Sequence, residues 1–183
     1  MTRKILPSIL LTLAAIVVIG GGWVYATIRD MSGAEYWEKS IKAFETKDIE
    51  SPPPKGAVLF VGSSSIVFWR SLAEDFAPIP VINRGFGGSQ MNHLNHYRDR
   101  IVRRYEPKII VVYEGDNDIA SGLTANEVIE DYDDFINYVE RTLPDTKVCF
   151  IAIKPSVRRE TLWPTMLQVN QEIRDRAETQ ANL

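Results

Sequence analysis

The sequence predicts an α/β fold built on a parallel sheet, and three observations predict it. Four short apolar runs, Ala57–Val61, Val81–Asn83, Lys108–Tyr113 and Val148–Ile153, have the length and branched, aromatic-rich composition of strands buried on both faces. Segments with helical spacing separate them, and alternating strands and helices put helices on both faces of the sheet. The first three strands each run into a small, polar, glycine-bearing loop. In a parallel sheet such loops share the carboxyl-terminal rim, where ligands bind.

The chain of 183 residues is 45% hydrophobic and 25% charged, which suits one globular domain (residues 31–183) behind a separate leader (residues 1–30). Net charge is -3, so no basic field for nucleic acid is present. The single cysteine, Cys149, cannot close an internal disulfide; inside an apolar run it reads as a small buried hydrophobe. Arg3 and Lys4 precede an uncharged run, Ile5–Ile28, whose 24 residues would span about 36 Å as a helix. We expect a membrane anchor with the domain on the extracytoplasmic side, because the positive residues precede the run. The alternative is secretion after cleavage near Val24-Tyr25-Ala26.

Ala34–Lys47 predicts an amphipathic helix with Tyr36, Trp37, Ile41 and Phe44 on its apolar face. Ser51–Gly56 carries three prolines and leads into the first strand, which stops at Gly62 before Ser63-Ser64-Ser65. These serines either cap the following segment, read as a helix over Ile66–Phe76, or include a nucleophile. The stretch does not match G-x-S-x-G. The second strand enters Arg84-Gly85-Phe86-Gly87-Gly88-Ser89-Gln90, which lacks the G-x-G-x-x-G spacing of a dinucleotide loop. It is either a tight turn or a turn that aims a backbone N–H at a site. A polar helix is predicted over Met91–Tyr105. The third strand ends in Glu114-Gly115-Asp116-Asn117-Asp118.

Thr124 with Glu127 is a capping-box pattern opening a helix over Thr124–Leu143. Its acidic residues Glu130, Asp131, Asp133 and Asp134 read as a solvated face. A last helix is predicted over Leu162–Thr179. Trp69, Phe86 and Trp163 read as core or as an acyl pocket, and Lys154 and Arg158 lie just past the fourth strand.

Three blocks in order at strand ends resemble the SGNH hydrolases, also called GDSL esterases and lipases. The family's Gly-Asp-Ser-Leu corresponds to Gly62-Ser63-Ser64-Ser65, with Ser63 in place of Asp. The second block's glycine falls on Gly88, with Gly87 the neighbouring alternative, and Gly-x-Asn-Asp on Gly115-Asp116-Asn117-Asp118. The resemblance covers about residues 35–183. It implies a three-layer, flavodoxin-like fold in which Ser64 is the nucleophile and Gly88, Asn117 and the Ser64 N–H hold an oxyanion. It implies hydrolysis of an acyl ester of a small molecule, lipid or glycan, without metal or organic cofactor, and gives Asp118 a structural role. The family's base, Asp-x-x-His after a fifth strand, has no match in these residues. The only histidines are His93 and His96, the latter within reach of Asp99 on the same helix. We therefore expect a chain cut before the last strand and helix, with little activity of its own. The alternatives are a non-catalytic binding module or an O-acyltransferase acting on envelope glycans.

Overall fold

The computed structural model describes residues 33–180 and 183. The chain divides into two units, Met1–Glu38 and Lys39–Leu183. The expected membrane or signal segment lies outside the described residues. Among them, no helix is long and apolar enough to cross a membrane. In the first unit, Ala34–Trp37 forms a 3₁₀ turn in which the Tyr36 and Trp37 rings meet edge to face at 5.1 Å. The predicted helix therefore starts later, as α1 (Glu38–Glu50).

Four strands follow, β1 (Val58–Gly62), β2 (Val81–Gly85), β3 (Ile109–Tyr113) and β4 (Lys147–Phe150). They form one parallel sheet in the order β2-β1-β3-β4. The connections are α2 (Ser64–Val67) and α3 (Leu72–Asp75), then α4 (Met91–Ile101), then α5 (Asp116–Ala120) and α6 (Ala125–Thr142). After β4 a 3₁₀ stretch, Val157–Leu162, leads into α7 (Trp163–Ala177). The helix expected over Ile66–Phe76 is thus two short turns. Trp69, between them, packs its ring against Phe60 and Phe76 and donates its Nε1–H to Asp75. The segment closes over the sheet rather than running as one rod. The predicted Met91–Tyr105 helix likewise ends at Ile101, and Arg103–Tyr105 follows as a 3₁₀ turn.

The register fixes the two faces. Phe60 and Tyr113 lie on one face and pack with Ile66 and Leu72 in a core cluster. Leu59, Val61, Ile110, Val112 and Val148 are buried on the other, and α4 packs on both β1 and α6. Burying such side chains supplies about 1.5–3 kcal/mol each. Thr124 caps α6 with Glu127 in the predicted reciprocal box.

Cys149 is a correction: it is exposed. It shares its face with Lys147, also exposed, on β4, which pairs only with β3 among the described residues. An apolar run at a sheet edge keeps one face wet, and the run alone does not reveal which strand is the edge.

Beside the rim, the Arg84 guanidinium pairs with buried Asp48 and donates from Nε to the Tyr105 hydroxyl at 2.6 Å. Tyr105 in turn donates to Asp48 at 2.6 Å. Every member of this buried network is satisfied, which is the condition for such a network to hold structure. It ties α1 to the end of β2, where the glycine-rich stretch begins.

Candidate active site

The site grows from Gly62. Its φ is 136°, and a Cβ there would lie 2.2 Å from the Tyr113 carbonyl oxygen. Only glycine lets β1 turn this close to β3. The turn is then pinned from both neighbours: Ser63 N–H donates to the Tyr113 carbonyl at 3.1 Å, and Phe86 N–H donates to the Gly62 carbonyl at 2.9 Å. Asn83 completes the support. Its Nδ2 donates to the Ile66 carbonyl at 2.7 Å, while its Oδ1 accepts from Gly85 N–H at 2.9 Å.

The three serines have different surroundings. Ser63 is at the N-cap position and 1% exposed, yet its hydroxyl caps nothing and has no hydrogen-bond partner. The capping role open to it in the sequence is therefore not taken up. Ser65 Oγ accepts from Lys154 Nζ at 3.0 Å. Ser64 is half-buried, and among the described residues its hydroxyl makes no hydrogen bond.

The glycine-rich loop lies on the rim at β2. Gly88 has a φ of 81°, with open space where a Cβ would point. Next to it, buried Ser89 links two loops. Its Oγ donates to Glu114 Oε1 at 2.5 Å, and its carbonyl accepts from Asn117 Nδ2 at 2.9 Å. Arg159 Nη2 donates to Asn117 Oδ1 at 2.8 Å. These two partners settle which end of the amide is nitrogen. One Nδ2–H serves Ser89, and the second has no hydrogen-bond partner among the described residues. Asp118 bridges the same loops, accepting from Met91 N–H at 2.8 Å and Gly115 N–H at 3.0 Å. Ser64, Gly88 and Asn117 thus stand on the ends of three adjacent strands, with β1 in the middle.

The histidines stand elsewhere. His93 is buried on α4, and its Nδ1 accepts from Gln90 N–H at 3.0 Å, closing the first turn of that helix. His96 is exposed with its ring edge to face with Tyr97 at 4.7 Å. Asp99 accepts from the Tyr138 hydroxyl at 2.6 Å and lies 3.6 Å from Arg103. The considered His96–Asp99 pairing does not form.

Of the aromatic residues considered for a pocket, Phe86 is buried against Tyr97 and Trp69 packs at the core margin. Trp163 lines a cavity of about 420 Å³ with Pro155, Val157 and Glu160. Arg159 and Glu114 escaped the sequence reading. Arg158, flagged beside the fourth strand, is exposed. Its neighbour sits at φ -125°, ψ 26°, a break in the 3₁₀ stretch, and contacts the Asn117 loop.

Glu114 is fully buried, and its Oε2 has no partner. Burial pushes its carboxyl well above the usual range, and the neighbouring Asp118 charge adds to this. Burial also lifts Asp118, to about 6, against the pull of the backbone N–H groups it accepts from. The geometry agrees with that direction: Ser89 donates to Oε1, and among the described residues no donor reaches the buried Oε2 to hold a charge there.

Both shifts are upward, so the folded state holds these protons more tightly than the unfolded chain. Their stabilisation is fully present below the unfolded carboxylate range near about 4. It is lost as pH rises through the folded values, about 6 for Asp118 and likewise raised for Glu114. The urea midpoint is expected to fall as pH rises from about 4 through about 6, the window of the Asp118 shift. Glu114→Gln, which stays neutral and still accepts from Ser89, is expected to flatten that fall. An equally steep fall in Glu114→Gln would place the responsible protons elsewhere.

Comparison with known proteins agrees with this architecture. The sequence profile of the GDSL-like lipase/acylhydrolase family matches residues 60–182. No curated protein matches by sequence. Among solved structures, a Streptococcus pneumonia protein provisionally assigned as a platelet activating factor superposes with a TM-score of 0.70 at 20% identity. That match covers 92% of this chain and 78% of the other. A GDSL-like lipase from Bacteroides thetaiotaomicron gives 0.65 at 19% identity, covering 75% and 73%. A variant of an acetyl-xylooligosaccharide esterase from Geobacillus gives 0.52 at 14%, covering 68% and 73%. With two thirds of its length matched by the family profile, and with the parallel sheet that these hydrolases share, the chain belongs to the GDSL-like lipase/acylhydrolase family.

Proposed function

We propose that the protein is a serine esterase in which Ser64 attacks the carbonyl of an acyl ester. One observation carries the reading: the Asn117 amide is oriented from both ends, and its second N–H has no partner among the described residues, on the strand end next to that of Ser64. As the Ser64 Oγ–carbon bond forms, the carbonyl π pair moves onto oxygen. Gly88 N–H, Ser64 N–H and Asn117 Nδ2–H are the donors for that oxyanion. One such donor is worth about 10²–10³ in rate. The serine proton passes to a base, for which the family uses Asp-x-x-His. The alkoxide leaves, and water releases the acyl group from Ser64.

Small-molecule and saccharide acyl esters are the proposed substrates, in keeping with the acetyl-xylooligosaccharide and acetyl xylan esterases among the structural neighbours. The apolar run Ile5–Ile28 supports an extracytoplasmic setting for the domain.

The test is labelling by an alkyl fluorophosphonate, with imidazole added as an external base. Ser64 Oγ would bond to phosphorus, fluoride would leave, and imidazole would take the proton. Peptide mass spectrometry is expected to find the adduct on Ser64. An adduct on Ser63 or Ser65, or none, would overturn the assignment.

A further inference from the structure

We propose that Arg159 is a positioning residue that sets the direction and strength of the Asn117 donor. The proposal rests on Asn117 serving as an oxyanion donor. Arg159 reaches across from the connection between β4 and α7, a different part of the chain from any of the three sequence blocks. Its guanidinium forks between two acceptors on one loop: Nη2 donates to Asn117 Oδ1 at 2.8 Å, and Nη1 lies 2.9 Å from Asp116 Oδ2. The fork is half-buried, with the Arg159 and Asp116 side chains 29% and 22% exposed.

A primary amide can rotate end for end about its side-chain bond. Here rotation is blocked twice. The Ser89 carbonyl at 2.9 Å requires the nitrogen on its side, and the guanidinium requires the oxygen on the other. The second Nδ2–H therefore has one direction before substrate arrives. A cation on the amide oxygen also draws electron density from the nitrogen, which makes the remaining N–H a better donor. Preorganised donors of this kind need no reorientation as the oxyanion forms. Asp116 holds the guanidinium plane in turn. Lysine would not replace arginine here, because a single ammonium does not reproduce a planar two-acceptor fork.

The first measurement is the ¹H–¹⁵N spectrum of the Asn117 side-chain amide in the protein and in Arg159→Ala. Both amide protons are expected to shift. Unchanged signals would overturn the contact and the proposal with it. The second is the rate of Ser64 labelling by the fluorophosphonate with imidazole present. Arg159→Ala is expected to slow it about tenfold or more, short of the about 10²–10³ expected for removing the donor outright. Arg159→Lys should remain slow, and added methylguanidinium should restore part of the rate to Arg159→Ala. In an Asn117→Ala background, Arg159→Ala should change the rate little, since there is no amide left to orient. An equal slowing in both backgrounds would overturn the proposal, because Arg159 would then act on something other than Asn117. Asp116→Asn, which leaves the Asn117 contact in place, checks the same fork with less disturbance: it should slow labelling by less than Arg159→Ala, and an equal loss would assign the effect to the ion pair instead. Absence of labelling at Ser64 defeats the esterase reading, while the amide spectrum still decides the contact of Arg159 with Asn117.

Discussion

In a full-length protein that carries the Asp-x-x-His base, replacing Ser64 with alanine is expected to silence ester hydrolysis while leaving the protein folded. The loss in kcat is expected to be on the order of 10⁴ or more, the scale seen when a serine hydrolase loses its nucleophile. The fold should tolerate the change because the Ser64 hydroxyl makes no hydrogen bond among the described residues. Half-buried serines without partners contribute within about 0.5 kcal/mol. The informative control is one residue away. Ser65 accepts from Lys154, so Ser65→Ala removes a hydrogen bond without removing the attacking atom. Turnover of a nitrophenyl ester should fall far less in that variant than in Ser64→Ala, since one hydrogen bond from a charged donor is worth about 1.5–3 kcal/mol. If Ser65→Ala is silent and Ser64→Ala active, the nucleophile is Ser65, and the oxyanion assignment fails with it.

Replacing Gly62 with alanine is expected to have the largest effect on stability. The added carbon would stand 2.2 Å from a backbone oxygen, with a φ of 136° that side chains rarely adopt. The atom in the way is the carbonyl that accepts from Ser63, so relief requires moving β3 away from β1 or breaking that bond. A loss above about 4 kcal/mol is expected, against a total of about 5–15 kcal/mol for a domain of this kind. Urea unfolding followed by far-ultraviolet circular dichroism measures it. Gly87→Ala is the comparison, since open space surrounds the position and its φ is ordinary; it should shift stability by no more than about 0.5 kcal/mol. Comparable losses in the two variants would mean that the close approach at Gly62 relaxes easily.

Much of this architecture was legible because local rules and global fold agree. Ile109–Val112 can hardly be anything but a buried strand, and Thr124 with Glu127 announces a helix start that the structure closes as written. Ser64, Gly88 and Asn117 were found as members of three blocks at strand ends, and the sheet order sets those ends side by side. Features that depend on distant partners were not legible. Cys149 looked buried because its neighbours are apolar, but the edge position of β4 decides its exposure. The helix expected over Ile66–Phe76 breaks because Trp69 finds the Phe60 and Phe76 rings, which no local periodicity records. Arg159 carries no signal distinguishing it from Arg158. Only a break in the 3₁₀ stretch turns one to solvent and the other toward Asn117. Glu114 reads as a polar loop residue until Ser89 is seen to cover it.

The solitary Ser64 hydroxyl has an evolutionary consequence. Gly62 and Asp118 are tied to the integrity of the sheet rim, so drift at those positions is punished by misfolding whether or not the chemistry is still needed. The Ser64 hydroxyl holds no hydrogen bond among the described residues, and its backbone bond to Phe68 needs no particular side chain, so a lineage released from selection for turnover can lose the hydroxyl silently and still produce a folded protein. Descendants of this chain that keep the glycines but not the serine should therefore persist as intact domains, free to be recruited for tasks in which the old rim only binds.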